Sequence, residues 1–584
     1  MNENFLDMGR DGSLVIRCRF EEKDVAKAIG ARWDKPTKTW IAAFTVQNVK
    51  FLVENLEDVF IAASVEERLG KDSEIDTKLN QLRALSKKDS PVQLRVPGVN
   101  VALYNYQKLG VLYSTAGMPG VLLGDEMGLG KSIQAIATAC WKRANGLAQN
   151  CLVITPASLK WNWPLEVEKF TNANYVVIDG TPEERIRQWL RKDVFFYIVN
   201  FEMILEDLFG GKEISFDEFD SAATIVRKEK QLASAKHRMA TLAPVRDRLW
   251  DMIVIDEAHS IKNHSSKRTK NVKKLKGKFR MALSGTPMDG KLEDLHSIMD
   301  WVAPGLFESR TRFLQKHAEF DFWGRVVRYR EIDEVRKRIE PFFLRRLKKD
   351  VLKDLPDKVY NDRYVMLPSK EMKIYRSLAE RGHEATMDAQ AMTAIIRCKQ
   401  FCDYPGLLKE NFEGAKMEMF REVLQEVVID NGHKALIFSQ YSSMCEVLCR
   451  VAEDMGLRYL YIWGDTPKKE RAAMQAKFNG DPELNLMIGT EAMSTGLNFT
   501  SADYVINYDD AWSPAIMKQR EDRAHRIGQK SVVTVVNFIC RDTIEERIRS
   551  VLDVKGAVSS KALGDETDEQ IVARLSVQDI AKML

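Results

Sequence analysis

The sequence predicts an α/β protein: two parallel-sheet lobes in tandem, with helical insertions, preceded by a small α+β domain. Three observations predict it. At 584 residues the chain is too long for one hydrophobic core, so three or more domains are expected. From about Leu103 short apolar runs (GVLLG, CLVITP, FFYIVN, MIVIDE, RMALSGT) alternate with helical stretches. Each run is continuously apolar, as strands buried on both faces of a parallel sheet are. A second series at KALIFSQ, LRYLYIWG, LNLMIGT, ADYVINY and VVTVVNFI predicts a second sheet.

In chain order, residues 1–65 form the small accessory domain. SLVIRCRF alternates apolar and polar positions, Lys35-Pro36-Thr37-Lys38 makes a turn, and Thr39-Trp40-Ile41 returns as a strand. Residues 66–100 are charged and helix-prone, the texture of a linker helix. Residues 101–300 form the first lobe. It is interrupted at 205–250 by an insertion, acidic early (DEFD) and basic later (VRKEKQLASAKHR). Residues 301–410 read as a helical protrusion and linker, 411–560 as the second lobe, and 561–584 as a helical tail.

Composition narrows the function classes. Apolar residues make up 45% of the chain and no run of roughly 20 of them occurs, so no membrane span is expected. The start MNENFLDMGRDGS has no basic region followed by an apolar stretch, and a cytoplasmic chain is expected. The 8 cysteines include no CxxC; Cys398/Cys402 and Cys445/Cys449 have helical spacing, so reduced core thiols are expected rather than a zinc site. Lys and Arg total 88 against 84 Asp and Glu, a balance that permits a polyanionic partner without arguing for one.

The chemistry begins at Gly124-Asp125-Glu126-Met127-Gly128-Leu129-Gly130-Lys131-Ser132, between a buried strand and the helix IQAIATACWK. Such a loop offers backbone N–H groups and a helix N-terminus to phosphates; Asp125, Met127, Gly128, Leu129 and Gly130 line the expected cradle. Lys131 would reach the β/γ oxygens and the Ser132 hydroxyl would ligate Mg²⁺. Asp125 stands where the strict GxxxxGK[ST] pattern has its first glycine. Asp256-Glu257-Ala258-His259 ends the apolar run MIVI. Two adjacent carboxylates at a buried strand end are costly without a cation, so Asp256 is expected to hold Mg²⁺ and Glu257 to polarise the attacking water. Gln107, upstream in LYNYQKLGV, is placed to read adenine; its plainer reading is a solvated helix residue. In the second series, QREDRAHRIGQ carries Arg523 and Arg526 at i,i+3, expected on one helical face and aimed at a single polyanion.

These segments, in this order, resemble superfamily 2 helicases, and more narrowly the Snf2 family of DNA translocases. The resemblance rests on DEMGLGKS, TPASLKWNW at 155–163, DEAH at 256–259, LSGTP at 283–287 and LRRLKKDVLKDLPDK at 344–358. IFSQYSSM at 437–444, GLNFTSADYVINYD at 496–509 and QREDRAHRIGQ at 519–529 complete it. It implies RecA-like lobes with ATP and Mg²⁺ bound in the cleft between them, nucleotide contacts from Gly496 and Asn498, and catalytic roles for Lys131, Asp256, Glu257, Arg523 and Arg526. Where the family places small glycines this chain has Ala492-Met493-Ser494-Thr495, and Met493 is expected to narrow the backbone's approach to DNA or nucleotide. The front segment FEEKDVAKAIGARWDKPTKTWIAAF resembles small domains found beside annealing helicases of the SMARCA-like type and in phage and plasmid proteins. There Trp33 and Trp40, with Arg32 and Lys38, are read as a surface for single-stranded bases or fork junctions, or as core filling.

Expected partners are double-stranded or forked DNA, with single-stranded DNA at the accessory domain, no membrane, and a monomeric state. Ser158, Lys160, Trp161, Ser284, Thr286 and Ser439, all in strand-end loops, are the expected DNA contacts. Three outputs fit such a motor: a duplex translocase remodelling forked or protein-bound DNA, a strand-separating helicase on branched DNA or R-loops, and an ATP switch attached to RNA polymerase or a nuclease.

Overall fold

The computed structural model describes residues 4–552 apart from 10–12, 43, 88–90, 158, 212–220, 289, 323, 353–354, 384–387 and 495. Candidate DNA contact Ser158, the DEFD part of the insertion and the tail 561–584 lie outside the described residues.

Alternation in the first residues builds a five-stranded sheet in the order Arg32–Asp34, Thr39–Ala42, Leu14–Arg17, Asn4–Met8, Val59–Ile61. Leu6, Leu14 and Ile16 pack with Ala26 of helix Lys23–Ala28 and with Val49 and Leu52 of helix Val46–Asn55. Thr45 caps the second of these helices, its side chain accepting from Asn48 N–H at 3.0 Å.

The expected linker is one helix, Ala63–Lys87, but it is not a free spacer. Val65 at its start belongs to the small domain's core, while Leu79 and Leu82 near its end belong to the core of the first lobe. Arg83 donates to the Tyr113 hydroxyl at 2.9 Å, and Arg312 donates to the Lys27 carbonyl at 2.8 Å.

The chain divides into two compact units. The first takes the chain up to Glu126, Gly130–Glu319 and Arg330–Arg346; the second takes Met127–Leu129, Phe320–Tyr329 and the chain from Leu347. The stretch 301–410, expected as a helical protrusion and linker, is shared between the two units. Phe343–Leu344 completes the first unit's sheet, and Lys358–Val365 is an edge strand of the second's. Helices Ser369–His383 and Asp388–Asp403 bury Tyr375, Ile395, Cys398 and Phe401 in the second unit's core.

In the first unit the large sheet runs Phe343–Leu344, Gly120–Leu123, Lys276–Leu283, Leu249–Ile255, Cys151–Thr155, Phe196–Asn200, Tyr175–Val177, all parallel. Gly120–Leu123, Cys151–Thr155 and Phe196–Asn200 are buried at every position, which is why their sequences do not alternate. The insertion contributes helix Ala222–Thr241, tied down where Arg185 and Arg238 both meet buried Asp207.

In the second unit the parallel order is Lys358–Val365, Val533–Cys540, Tyr504–Asn507, Ala435–Phe438, Leu486–Gly489, Tyr459–Ile462. All 8 cysteines are free thiols, and all but Cys18 are buried.

Candidate nucleotide and nucleic-acid site

The first unit gathers polar residues at the carboxyl ends of its central strands, where parallel sheets bind ligands. The loop after Gly120–Leu123 turns into helix Lys131–Ala144 through Gly130, whose φ of +73° is left-handed; Gly128 is left-handed too, at +85°. A Cβ on Gly130 would stand 2.7 Å from Gln107 Nε2, so glycine is required sterically as well as conformationally. Gln107 is buried rather than solvated, and its Oε1 accepts from Tyr104 N–H at 3.0 Å in the cap of helix Asn105–Ser114. Lys131 folds its ammonium onto the loop's own backbone, donating to the Asp125 carbonyl at 2.9 Å and the Glu126 carbonyl at 3.3 Å. Those acceptors are what a phosphate oxygen would replace. Ser132 follows in the first helical turn, half-buried.

Asp125 does not face a ligand. Its buried carboxylate accepts from Arg346 Nε at 2.8 Å and from Gln134 Nε2 at 3.0 Å. Arg345, beside it, donates to the Gly124 carbonyl at 2.8 Å and the Gly285 carbonyl at 3.2 Å. An aspartate replaces the pattern's first glycine here because a guanidinium from 221 residues downstream needs a partner. The expectation of Asp125 as a nucleotide contact is thereby corrected: it braces the loop.

Asp256 follows strand Leu249–Ile255 at the middle of the sheet. Its Oδ2 accepts from the Trp163 indole at 2.9 Å and Oδ1 accepts from Glu257 N–H at 3.0 Å. Burial, then the negative charge of Glu257, push its pKa up to about 6 against the opposing pull of Trp163 and Lys131. Glu257 adopts a left-handed φ of +50°, a strained conformation for a residue with a side chain, and lies 3.1 Å from His259 Nδ1. Two crowded carboxylates, one of them under the charge of Lys131, offer hard oxygens that fit Mg²⁺.

Of the expected DNA contacts in this unit, Trp161 is 46% exposed and Thr286 is half-buried. Lys160 and Ser284 are corrected. Lys160 is buried, its ammonium held by Asp179 at 2.9 Å and the Ile178 carbonyl at 3.3 Å. Ser284 is buried too, its hydroxyl accepting from Thr286 N–H at 3.3 Å, so it shapes its own loop.

In the second unit, helix Pro514–Glu521 ends before the two arginines. Arg523 and Arg526 lie in the turn that follows, not on a helical face, yet both donate to one carbonyl, that of Leu497, at 2.9 and 3.2 Å. Leu497 sits between Gly496 (φ +72°) and Asn498, whose N–H donates to Gln475 at 3.0 Å. The nucleotide candidates of this unit thus converge through a turn. Asp522 inside that turn is buried and holds Lys348 at 2.7 Å; burial would raise its pKa, but Lys348 and Lys358 hold it well below the ordinary carboxylate range.

Ser439 is corrected as a DNA contact. It is buried and donates its hydroxyl to Asp509, which also accepts from Gln440 N–H at 3.0 Å. Arg520, fully buried, donates to the Asp509 carbonyl at 2.8 Å and pairs with Glu491. Burial opposes ionisation of Asp509, while Lys399 and Arg520 overcome it and hold the carboxyl below its ordinary value. Met493 does not crowd a ligand either; its side chain is buried in the core formed with Leu436, Phe438 and Phe499.

Sequence reasoning passed over Trp163, Arg345, Arg346, Lys348, Asp509 and Arg520. Each stood inside a quoted motif or next to a chosen residue, but nothing in the spacing said which of them faces inward. In the small domain Trp33 and Trp40 are cross-strand partners, edge-on at 5.3 Å. Trp40 packs against the core while Trp33 is 49% exposed.

Three families match the chain: the SNF2-related domain over residues 77–413, the helicase conserved C-terminal domain over 415–528, and a domain of unknown function (DUF5710) over 14–51. An uncharacterized ATP-dependent helicase of Mycoplasma pneumoniae is 32% identical over 483 residues, 80% of this chain and 43% of that protein. YwqA of Bacillus subtilis, named as a candidate ATP-dependent helicase/translocase, is 30% identical over 529 residues, 86% of this chain and 53% of its own. The chain spans about half the length of these curated relatives. The solved SWI2/SNF2 ATPase core of Sulfolobus solfataricus in complex with dsDNA is 28% identical, covering 81% of this chain and 96% of that one, with a TM-score of 0.38. Among the described residues no helix is long and apolar enough to cross a membrane.

Proposed function

Because the chain belongs to the SNF2-related family, we propose that it is an ATP-hydrolysing motor that tracks along duplex or forked DNA and remodels it. The observation that carries the reading is the Asp256–Glu257 pair. A carboxyl pushed up to about 6 at a strand end, with Lys131 among the charges acting on it, is a site built to receive a cation and an anion together. In this reading Lys131 and the loop N–H groups bind the phosphates of ATP, Ser132 and Asp256 hold Mg²⁺, and Glu257 orients the attacking water. Bound magnesium would neutralise charge on the leaving phosphate. Arg523 and Arg526, which converge on the Leu497 carbonyl, are the arginines this reading assigns to charge on the transferring phosphate.

The names of the relatives cover both translocation and strand separation, and the experiment below separates the two. Trp161 and Thr286 remain the DNA contacts, and single-stranded DNA is assigned to the accessory domain. The test is the ATPase rate against single-stranded, duplex, forked and RNA–DNA hybrid ligands. Stimulation by duplex or fork is expected. A rate indifferent to every nucleic acid would point to the switch module, and displacement of a paired strand to a helicase.

A further inference from the structure

The sheet of the small domain turns one face to its own helices and leaves the other without them. Register sorts the residues: Leu6, Ile16 and Trp40 share one row on the core side. On the opposite side Phe60, Phe5 and Arg17 form one row, and Asp7, Val15, Ile41 and Arg32 form the next. None of these belongs to the domain's core. The rings of Phe5 and Phe60 stack 5.5 Å apart with planes only 7° from parallel, and Phe60 is 60% exposed. Arg17 and Arg32 are exposed, and among the described residues neither is paired with an acid. Two acids share this face and both are engaged: Asp7 accepts from the Ser64 hydroxyl and from Met8 N–H, each at 2.7 Å, and Asp34, on the strand of Arg32, accepts from Thr37 N–H at 3.2 Å.

We propose that this open face is a platform for single-stranded DNA, with bases stacking on the Phe5–Phe60 pair and the Arg17 and Arg32 guanidiniums meeting bases and phosphates. Five strands spaced about 4.8 Å apart make the face about 19 Å wide, room for a few extended nucleotides. A duplex hides the faces of its bases inside its own stack, so exposed rings favour an unpaired strand. Arg17 beside Phe5 and Arg32 on the far edge strand, neither paired with an acid among the described residues, match a polyanion better than they match an apolar protein surface. The tryptophans named from sequence are the poorer candidates, because Trp40 is part of the core's packing and Trp33 meets it edge-on. The proposal rests on the DNA-motor reading only in taking DNA as the polymer.

The test is fluorescence anisotropy of labelled oligo-dT with the full chain and no nucleotide, beside the duplex-stimulated ATPase of the same proteins. Phe60→Ala should weaken oligo-dT binding about tenfold, as the loss of one stacked base does. Arg17→Ala with Arg32→Ala should weaken it and flatten its salt dependence, while Trp33→Ala changes little. All these side chains are exposed, and circular dichroism would verify the fold. Duplex-stimulated hydrolysis should survive in every variant. Oligo-dT affinity unchanged in both the Phe60 and the arginine variants overturns the proposal, as does wild-type protein that ignores oligo-dT, which would hand the face to a protein partner. Loss of binding in Trp33→Ala alone would also overturn it. If oligo-dT binding behaves as expected but no nucleic acid stimulates hydrolysis, the platform stands and the motor reading falls.

Discussion

Both lobes set polar loops at the carboxyl ends of parallel strands, but Asp256 of the first and Asp509 and Asp522 of the second carry their buried charge in opposite ways. In the first, Asp256 is held with its pKa raised to about 6, an arrangement that gains when a cation arrives. In the second, Asp509 and Asp522 are pulled below the ordinary carboxylate range by Lys399, Arg520, Lys348 and Lys358, so their counter-charges are already in place. Asp256 is poised for a ligand, whereas Asp509 and Asp522 hold loops in shape. The first lobe also contains acids with counter-charges in place, Asp125 locked to Arg346 and Asp207 held by Arg185 and Arg238.

The sharpest way to break this contrast is to remove the reactive groups. Lys131→Ala or Glu257→Gln should abolish ATP turnover in a phosphate-release assay, and persisting turnover in Lys131→Ala protein would sink the assignment. Next in size, Arg526→Ala should lower turnover by roughly 10³ while ATP affinity by titration stays near wild type, the behaviour of an arginine acting on the transition state. Affinity falling in step with rate would count against that role.

A third test concerns the braces. Asp125→Gly restores the strict loop pattern but leaves Arg346 buried without its carboxylate. It should therefore destabilise the first unit by about 3–5 kcal/mol in denaturant unfolding, as breaking a buried ion pair does. Lys348→Ala, which leaves Asp522 paired with Lys358 at 3.7 Å, should destabilise the second unit in the same direction but by less. A stabilised Asp125→Gly protein would show that the position serves ligand binding after all.

The smallest effect is a pH dependence. Asp256 binds its proton more tightly folded than unfolded, since its folded pKa is about 6 against the ordinary 3.8 of an aspartate. It therefore weakens the fold above pH 6, and that penalty disappears as pH falls from 6 towards 3.8. Without nucleotide or metal, Asp256→Asn should raise the melting temperature by a few degrees at pH 7, with the gain shrinking at pH 5. A gain that grows on acidification would contradict the shift.

The buried strands were legible because each is apolar on both faces, and the phosphate loop because strand, glycines and lysine are contiguous. The DNA contacts were read less well for a physical reason. A serine at a strand end in the sequence has the same letter whether it faces solvent or closes its own loop, and Ser284 and Ser439 close theirs. Lys160 was misread in the same way, since its acid, Asp179, lies 19 residues on. The Arg346–Asp125 brace spans 221 residues, a pairing that local pattern does not carry. The i,i+3 spacing of Arg523 and Arg526 suggested a helix; the chain brings them together by a turn.

The helix Ala63–Lys87 has 25 residues and is owned at both ends, by the small domain through Val65 and by the first lobe through Leu79 and Leu82. At about 1.5 Å per residue it measures roughly 37 Å. A helix anchored in two cores works as a ruler instead of a tether. A strand held on the small domain would be kept at a set distance and angle from the lobe that carries Lys131, and any movement of that lobe would be felt there as tension.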